Sequence, residues 1–117
     1  MLAANLWMAA EGLLLARRFG IALPVALNVL NAGSGRSNAT ENLLPSRILE
    51  HQWPLTFKLA LHDKDVRIAA SMAHQEHLVS PMLGLTSQMF TAALHEMPDA
   101  DYVEVVKYAA SMSSEEW

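Results

Sequence analysis

Residues 55–79 read LTFKLALHDKDVRIAASMAHQEHLV, and this run contains neither glycine nor proline. Its apolar residues do not alternate with polar ones as they would in a half-buried strand. At 100° per residue, the large apolar side chains fall within about 60° of one another on one stripe: Phe57, Leu61, Ile68, Met72 and Val79. The run therefore predicts one long helix over about 55–79.

Glycine and proline divide the rest of the chain into further helical segments, which makes about six in all. The first helix is expected to run from the start of the chain to Phe19, with Gly20 as the residue that ends it. The second lies between Pro24, a favoured residue of a first helical turn, and Gly33.

Capping residues place the other helices. Asn38 is predicted to cap the third helix, with Glu41 as its capping-box partner. Ser80-Pro81 marks the start of the fifth, and either Asp99 or Asp101 caps the sixth, which runs to about residue 112. The sequence therefore predicts an all-α bundle that forms a single domain over residues 1–117.

Composition excludes several classes of function. The net charge is −4, and Arg17-Arg18 is the only adjacent basic pair, so a nucleic-acid partner is not expected. There is no cysteine, which rules out disulfides and thiolate metal sites. No apolar run approaches the roughly 20 residues that cross a bilayer, so no membrane partner is expected either. We expect a cytoplasmic protein.

One charged residue interrupts the apolar stripe of the long helix. Lys64 falls about 20° from Phe57, and Asp65 lies at the edge of the stripe. Because an unpaired buried ammonium is costly, Lys64 is expected either to be buried with a partner or to face a cleft. The alternative is that its aliphatic stem packs while the ammonium extends into water.

The first helix combines a polar residue with small ones. Asn5, Ala9, Gly12 and Ala16 share one face, at a spacing that lets another helix or a ligand approach closely. Alternatively, Asn5 is simply an exposed residue of the first turn.

The string from Gly33 to Asn38 begins like a dinucleotide fingerprint. It follows a predicted helix rather than a strand, however, and Asn38 holds the third glycine position. We interpret it as a tight interhelical turn whose backbone N–H groups are exposed ahead of a helix.

No metal site or complete catalytic set is predicted from spacing. His74 and His77 would share one helix at i, i+3, but nothing selects a third ligand. His62-Asp63 is equally unspecific, and a solvated histidine is the expected alternative. No Ser-His-Asp arrangement can be argued.

Five segments together resemble the β-hydroxyacid dehydrogenase family, of which the 3-hydroxyisobutyrate dehydrogenases are members. They are Asn5, Glu-Gly-Leu at 11–13, LNAGSGRS at 30–37, ATEN at 39–42 and FKLALHDKD at 57–65. They occur in the family's order over nearly the whole chain.

The resemblance implies an all-helical C-terminal domain, similar to that of 6-phosphogluconate dehydrogenase, which works beside an N-terminal Rossmann domain. It implies hydride transfer between NAD or NADP and a small β-hydroxyacid, in a homodimer or higher homo-oligomer. The 117 residues would be a truncated form from which the Rossmann domain is absent. NAD or NADP is therefore expected in the full-length parent, and no tight binding of either by this chain.

Site residues follow from the same resemblance. Asn5 matches the family's substrate-binding asparagine, Lys64 and Asp65 match the lysine–aspartate pair that contacts the cofactor, and Phe57 matches an aromatic residue beside it. The family's catalytic lysine stands four residues before the asparagine, where this sequence has Met1. No catalytic residue is therefore assigned, and the isolated chain is expected to be inactive. The alternative function is a non-catalytic helical dimerisation or binding module.

Overall fold

The computed structural model describes all 117 residues, and it contains helices and no strand. The α-helices are α1 (Leu2–Arg18), α2 (Leu23–Ala32), α3 (Leu59–Gln75), α4 (Pro81–Glu96) and α5 (Val105–Ser111). Two π-helical turns, Ala39–Leu43 and Pro45–Leu49, form a sixth helical unit, which we call the π segment. A 3₁₀ turn, Tyr102–Glu104, leads into α5. No helix is long and apolar enough to cross a membrane.

Most of the predicted helix boundaries are confirmed. Gly20 takes φ 76° after α1, where the Ile21 N–H donates to the Ala16 carbonyl and closes the helix end. Pro24 lies in the first turn of α2. Asp101 caps the last helical unit in a capping box, because the Glu104 side chain accepts in return from the Asp101 N–H.

The long helix is shorter than predicted, because α3 covers Leu59–Gln75 rather than 55–79. Its start is delayed because the backbone before it is tied to Asp101 through an isolated bridge at Lys58. Its end comes early because His77 adopts φ 54°, and the Leu78 N–H then donates to the Ala73 carbonyl. The same motif ends α1 at Gly20. At the end of α3 a histidine takes the left-handed position, so no glycine in the sequence marks the helix end.

The predicted cap of the third helix was wrong by one residue. Asn38 is already helical and its side chain makes no cap, since its Oδ1 accepts from the Asn42 amide over 2.8 Å. The cap is reciprocal between Ser37 and Thr40: the Ser37 N–H donates to Thr40 Oγ1 over 3.0 Å, and the Thr40 N–H donates to Ser37 Oγ over 3.3 Å. A hydroxyl pair therefore replaces the expected contribution of Glu41.

The core is built around α1, which packs against α2, the π segment, α4 and α5. Its fully buried side chains include Leu6, Ala10 and Leu13, and Trp7 is nearly buried. Each buried leucine contributes about 1.5–3 kcal/mol relative to an exposed one. The helix α3 packs mainly on α4, and α4 in turn packs on α1. The position of α3 relative to α1 is therefore determined by α4.

One buried carboxylate joins the loop before α3 to the last helical unit. Asp101 Oδ2 accepts from the Thr56 N–H over 2.6 Å and from the Phe57 N–H over 2.9 Å, while the Val103 N–H donates to Oδ1. Burial by itself raises the pKa of Asp101, but these hydrogen bonds outweigh it and hold the pKa below its usual value. Arg47, also buried, lies 3.5 Å away and donates to the Pro54 carbonyl.

Replacement of this carboxylate by an amide should strongly destabilise the domain. Asp101→Asn removes the charge that faces the buried Arg47, and the free energy of unfolding should fall by about 3 kcal/mol or more. Urea unfolding followed by circular dichroism measures the change, and Asp99→Asn, an exposed neighbour, is the control. Equal unfolding midpoints for the two variants would contradict the role given to Asp101.

Candidate functional site

A cleft of about 310 Å³ lies between α1 and the glycine-rich turn that follows α2. We call it the α1–turn cleft. Its lining residues are Asn5, Met8, Ala9, Gly12, Leu30, Ser34, Gly35, Arg36, Ser37 and Thr40. Two features that the sequence presented separately, the small-residue face of α1 and the turn, therefore form one site.

The α1 wall of the cleft is open because its residues are small. Asn5, Ala9 and Gly12 recur at helical spacing on one face and all line the cleft. A Cβ placed on Gly12 would meet no atom within 4 Å. The space above Gly12 therefore belongs to the cleft, and the close approach of a ligand or helix to this face stays a prediction. Asn5 is half-buried rather than freely exposed.

The turn is held in shape by its own contacts. The Asn31 amide donates to the Thr40 carbonyl over 3.1 Å and so ties the end of α2 to the π segment. A Cβ on Gly35 would lie 3.1 Å from Leu30 Cδ2, so the turn packs closely on α2. Because α2 and not a strand precedes the turn, a dinucleotide fingerprint is excluded, as predicted.

The cleft carries one cationic side chain and two backbone N–H groups without a partner. Arg36 is the only charged residue in the lining, and no carboxylate is among the lining residues. Its closest acidic neighbour is Glu41, whose Oε2 lies 3.8 Å from Arg36 Nε, with both side chains exposed. The backbone N–H groups of Ser34 and Gly35 make no hydrogen bond within the protein. The cleft therefore favours an anionic or acceptor-rich ligand.

Of the alternatives predicted for Lys64, the structure excludes burial with a partner. Its side chain is 55% exposed and its ammonium lies 3.8 Å from the carboxylate of Asp65, which is 60% exposed. The large apolar residues of the same stripe also face outward: Leu61, Ile68 and Met72 are exposed. Phe57 is not part of the helix, so its angular position along the stripe was misjudged. Lys64 therefore sits as a cation on an exposed apolar face.

Smaller residues form the buried face of α3. Leu59, Val66 and Ala73 are buried, and so is Asp63, which lies on the same face. Asp63 is tolerated there because Thr91 Oγ1 and Arg67 Nε each donate to it over 2.7 Å. The sequence count followed the larger apolar side chains and so selected the wrong face.

A second cleft, of about 600 Å³, lies between the start of α1 and helices α3 and α4. We call it the N-terminal cleft. It is lined by Met1, Leu2, Ala3, Ala4, His62, Asp65, Val66, Ala69, Met82, Leu83 and Thr86. Asp65 lines this cleft and Asn5 lines the other, so the first turns of α1 separate the two. Lys64 lines neither.

His62 is the residue of this region that sequence reasoning missed. The prediction of a solvated histidine was wrong, since its ring is partly buried between Phe90, Tyr102 and Phe57, with centroid distances of 5.0, 5.1 and 6.3 Å. Its Nδ1 atom is buried without a hydrogen-bond partner. Burial lowers the pKa of His62, against the carboxylate of Asp65, which raises it. No sequence signal selected it, because its ring partners Phe90 and Tyr102 belong to other elements of the fold.

The other histidine pair also departs from the prediction. His74 lies in the last turn of α3, but His77 lies beyond the helix end with its left-handed backbone. The two residues therefore do not share a helical face. No group of three or more histidine, aspartate or glutamate residues in the chain is placed to hold a metal ion.

The sequence and the fold identify the family. A family model described as "NAD-binding of NADP-dependent 3-hydroxyisobutyrate dehydrogenase" matches residues 1–109. The chain belongs to this family. The resemblance drawn from the turn and from the lysine–aspartate pair is thereby confirmed, while the roles of Asn5, Phe57, Lys64 and Asp65 remain predictions. No curated protein sequence matches the chain.

Two solved structures share the helical bundle. The 3-hydroxyisobutyrate dehydrogenase of Mycobacterium tuberculosis, in a structure with L-serine, is 20% identical with a TM-score of 0.80 over 90% of this chain. The 3-hydroxyisobutyrate dehydrogenase of Salmonella typhimurium is 27% identical with a TM-score of 0.79 over 92% of this chain. In each case the match covers 38% of the dehydrogenase, so this chain corresponds to well under half its length.

The lowered pKa of His62 makes the stability of the domain depend on pH. Below its ordinary pKa of 6.5, the unfolded chain binds a proton at this position more readily than the folded chain. This contribution to stability is therefore complete above pH 6.5 and is lost as the pH falls toward the lowered value. The melting temperature should decrease from about pH 7.5 to about pH 5.5.

His62→Phe keeps an aromatic ring in the cluster and removes the titrating group, so it should flatten this decrease. His74→Phe, an exposed position on the same helix, is the control. A decrease of the same size in the wild type and in His62→Phe, followed by differential scanning calorimetry, would show that His62 does not cause it.

Proposed function

We propose that this chain is the C-terminal helical domain of an NAD(P)-dependent β-hydroxyacid dehydrogenase, in which it supplies substrate contacts, cofactor contacts and a dimer surface. The observation that carries the proposal is an exposed cation on an apolar helix face, Lys64 between Leu61 and Ile68, in a chain that matches an NAD-binding family. Such a face suits a ligand that combines aromatic rings with negative charge.

Lys64 and Asp65 on this face, with Phe57 in the loop before the helix, fit a dinucleotide. The Lys64 ammonium would pair with an anionic group, and the Asp65 carboxylate beside it would orient the ammonium. Phe57 is 39% exposed, and its ring packs edge-on against Tyr102 with centroids 5.9 Å apart, so one part of the ring is held and another is free for contact. When bound, NAD(P) supplies the hydride acceptor or donor.

Asn5 is the proposed substrate contact. Its amide can both donate to and accept from the hydroxyl of a β-hydroxyacid, and it lines a cleft of suitable size for a small acid. The Mycobacterium tuberculosis structure was determined with L-serine, which is itself a β-hydroxy acid. This supports the substrate class without selecting one acid.

The 117 residues by themselves should show no steady turnover. Met1 stands where the resemblance places the catalytic lysine, and a thioether cannot exchange a proton with the substrate hydroxyl. A general acid or base contributes about 10²–10⁴-fold to the rate. The activity of the whole protein is therefore part of the proposal.

Cofactor binding tests the proposal directly. NADPH and NADH, titrated separately and followed by their fluorescence, should bind the chain weakly. Lys64→Gln should lower the affinity about three- to fivefold, because an exposed ion pair is worth about 1 kcal/mol or less. Lys58→Gln, an exposed lysine just before the same helix, is the matched control. Equal affinities for the two variants would remove Lys64 from the cofactor site.

We also propose a homodimer or higher homo-oligomer. A groove between α1 and α4 exposes Met8, Met82 and Leu85 at 56%, 57% and 54%. Apolar side chains grouped at a groove favour burial against another surface, and a second copy of the chain is the occupant that symmetry supplies most simply.

Sedimentation equilibrium tests this association. Leu85→Glu should weaken self-association at least about tenfold, because it places a charge in the apolar groove. Gln88→Glu adds the same charge at an exposed position on the same helix and serves as control. A wild-type chain that stays monomeric at micromolar concentration would be evidence against the dimer surface.

The exposed groove also favours a second candidate, a non-catalytic helical dimerisation or binding module. The two candidates differ in cofactor binding. A chain that dimerises through the groove but binds neither NADPH nor NADH supports the module, whereas binding that depends on Lys64 supports the dehydrogenase domain.

A further inference from the structure

We propose that residues 113–117 form a strap that limits self-association of the chain, because the strap closes one end of the groove between α1 and α4 until it is released. The inference rests on the proposed function, since the partner that the strap controls is the second copy that we place in that groove. The strap lies beyond residues 1–109, which the family model matches.

Two arginines at the end of α1 hold the strap. The Glu115 carboxylate accepts hydrogen bonds from both Arg17 and Arg18. The two guanidinium groups also donate to backbone carbonyls, that of Arg17 to Glu116 over 2.7 Å and that of Arg18 to Ser113 over 2.9 Å. The side-chain hydrogen bonds hold the pKa of Glu115 below its usual value, so the carboxylate is ionised at neutral pH. Charge-assisted hydrogen bonds therefore fasten the strap to α1.

Trp117 anchors the far end of the strap. Its indole N–H donates to the Val106 carbonyl over 2.7 Å, and its ring packs against the hydrophobic core. The Arg17 guanidinium lies over this ring, 4.9 Å from the centroid. Arg17 therefore contacts both the carboxylate and the aromatic residue of the strap, so losing its ion pair with Glu115 also loosens the contact with Trp117.

The backbone of the strap contains a residue in an unfavourable conformation. Ser114 takes φ 56°, in the left-handed region, and the Glu115 N–H donates to the Ala110 carbonyl over 3.0 Å. A serine in this region costs free energy that a glycine would not. The contacts of the strap must offset this cost. Because α5 ends at Ser111, the strap can open while α5 remains folded.

The strap forms part of the wall of a cleft of about 310 Å³ between α1, α4 and α5. Ser113 and Glu115 are the strap residues in its lining, and apolar side chains make up most of the rest. Trp7, Glu11 and Met89 line this cleft and also the proposed dimer groove between α1 and α4. The cleft is therefore a continuation of the groove, and the strap stands at its end.

Opening of the strap changes the surface that a second copy meets at this end of the groove. While the strap is closed, the second copy would have to desolvate Glu115 and its two arginines, and burial of charged groups is costly. Once it is open, the surface that Trp117 covers adds to Leu15 and Met112, which are each 59% exposed. The second copy therefore binds the open form, and the apparent association constant is proportional to the fraction of chains that are open.

Hydrogen exchange measures opening of the strap in the whole 117-residue chain. The N–H groups of Ser113, Ser114 and Glu115 donate to carbonyls of α5, so they exchange with solvent when the strap opens. Mass spectrometry at a concentration where the chain is monomeric should show about five- to tenfold faster exchange of these groups in Glu115→Gln. Arg18→Gln, which leaves the contacts of Arg17 in place, should have a smaller effect in the same direction.

Glu116→Gln is the matched control. It makes the same change of charge in the same strap, but only the backbone carbonyl of Glu116 takes part in holding the strap. Its exchange should equal that of the wild type. Equally fast exchange in Glu115→Gln and Glu116→Gln would show that the ion pairs of Glu115 do not keep the strap closed.

Sedimentation equilibrium of the same variants measures self-association. Glu115→Gln should raise the association constant by the same factor as it raises the exchange rate, and Glu116→Gln should change neither. Addition of Leu85→Glu to Glu115→Gln should abolish the gain, because it places a charge in the groove. Faster exchange with an unchanged association constant would overturn the proposal.

Salt tests the strap without a mutation. Raising the NaCl concentration from about 0.1 M to about 1 M shortens the Debye length from about 10 Å to about 3 Å. Exchange of the strap should become faster in the wild type and in Glu116→Gln, but much less so in Glu115→Gln, which has already lost its ion pairs. Equal effects of salt in all three chains would be evidence against an electrostatic strap.

The strap and the dimer surface fail separately. A wild-type chain that stays monomeric while Glu115→Gln associates would retain the strap and reject a dimer of the closed chain. A wild type that associates as tightly as Glu115→Gln would retain the dimer surface and reject the strap. If no variant associates although exchange shows an open strap, both proposals are rejected.

Discussion

The ion pair between Asp101 and Arg47 connects parts of the chain that are distant in sequence. The carboxylate accepts hydrogen bonds from backbone N–H groups of the 3₁₀ turn and of the loop between the π segment and α3. The guanidinium donates to carbonyls of that same loop. Without these hydrogen bonds of Asp101 and Arg47, several buried polar groups would lose their partners at once. The Phe57 N–H donates to the Asp101 carboxylate, and the Phe57 carbonyl accepts from the Tyr102 N–H. These two hydrogen bonds fix the position of Phe57 and therefore the start of α3.

Local signals made the architecture predictable. Gly20, Pro24, Pro81 and Asp101 act through backbone angles or caps that depend on a few neighbouring residues, and each lies where the sequence placed it. His77 shows the limit of such signals. Its left-handed backbone ends α3 as a glycine would, although the residue type gives no sign of it.

The faces of α3 were harder to predict, because the choice of buried face depends on tertiary partners. A count of large apolar residues selected the side that carries Lys64, whereas the neighbouring helix accepts Asp63 and small residues instead. The hydroxyl of Thr91 makes this possible, and no periodicity in α3 reveals a residue of another helix. The α1–turn cleft could not be predicted from the sequence either, because it too depends on tertiary packing. Its two walls are separated in sequence and meet only where α1 packs on α2 and the π segment.

The side chain of Leu30 packs against Gly35, so its size determines the width of the α1–turn cleft. Leu30 lines the cleft and also supports the turn from the side of α2, with its Cδ2 where a Cβ on Gly35 would need space. A change in the size of residue 30 would move the turn, with the polar groups it carries, toward α1 or away from it. The size of a ligand that the cleft accepts therefore depends on one aliphatic side chain that forms no hydrogen bond.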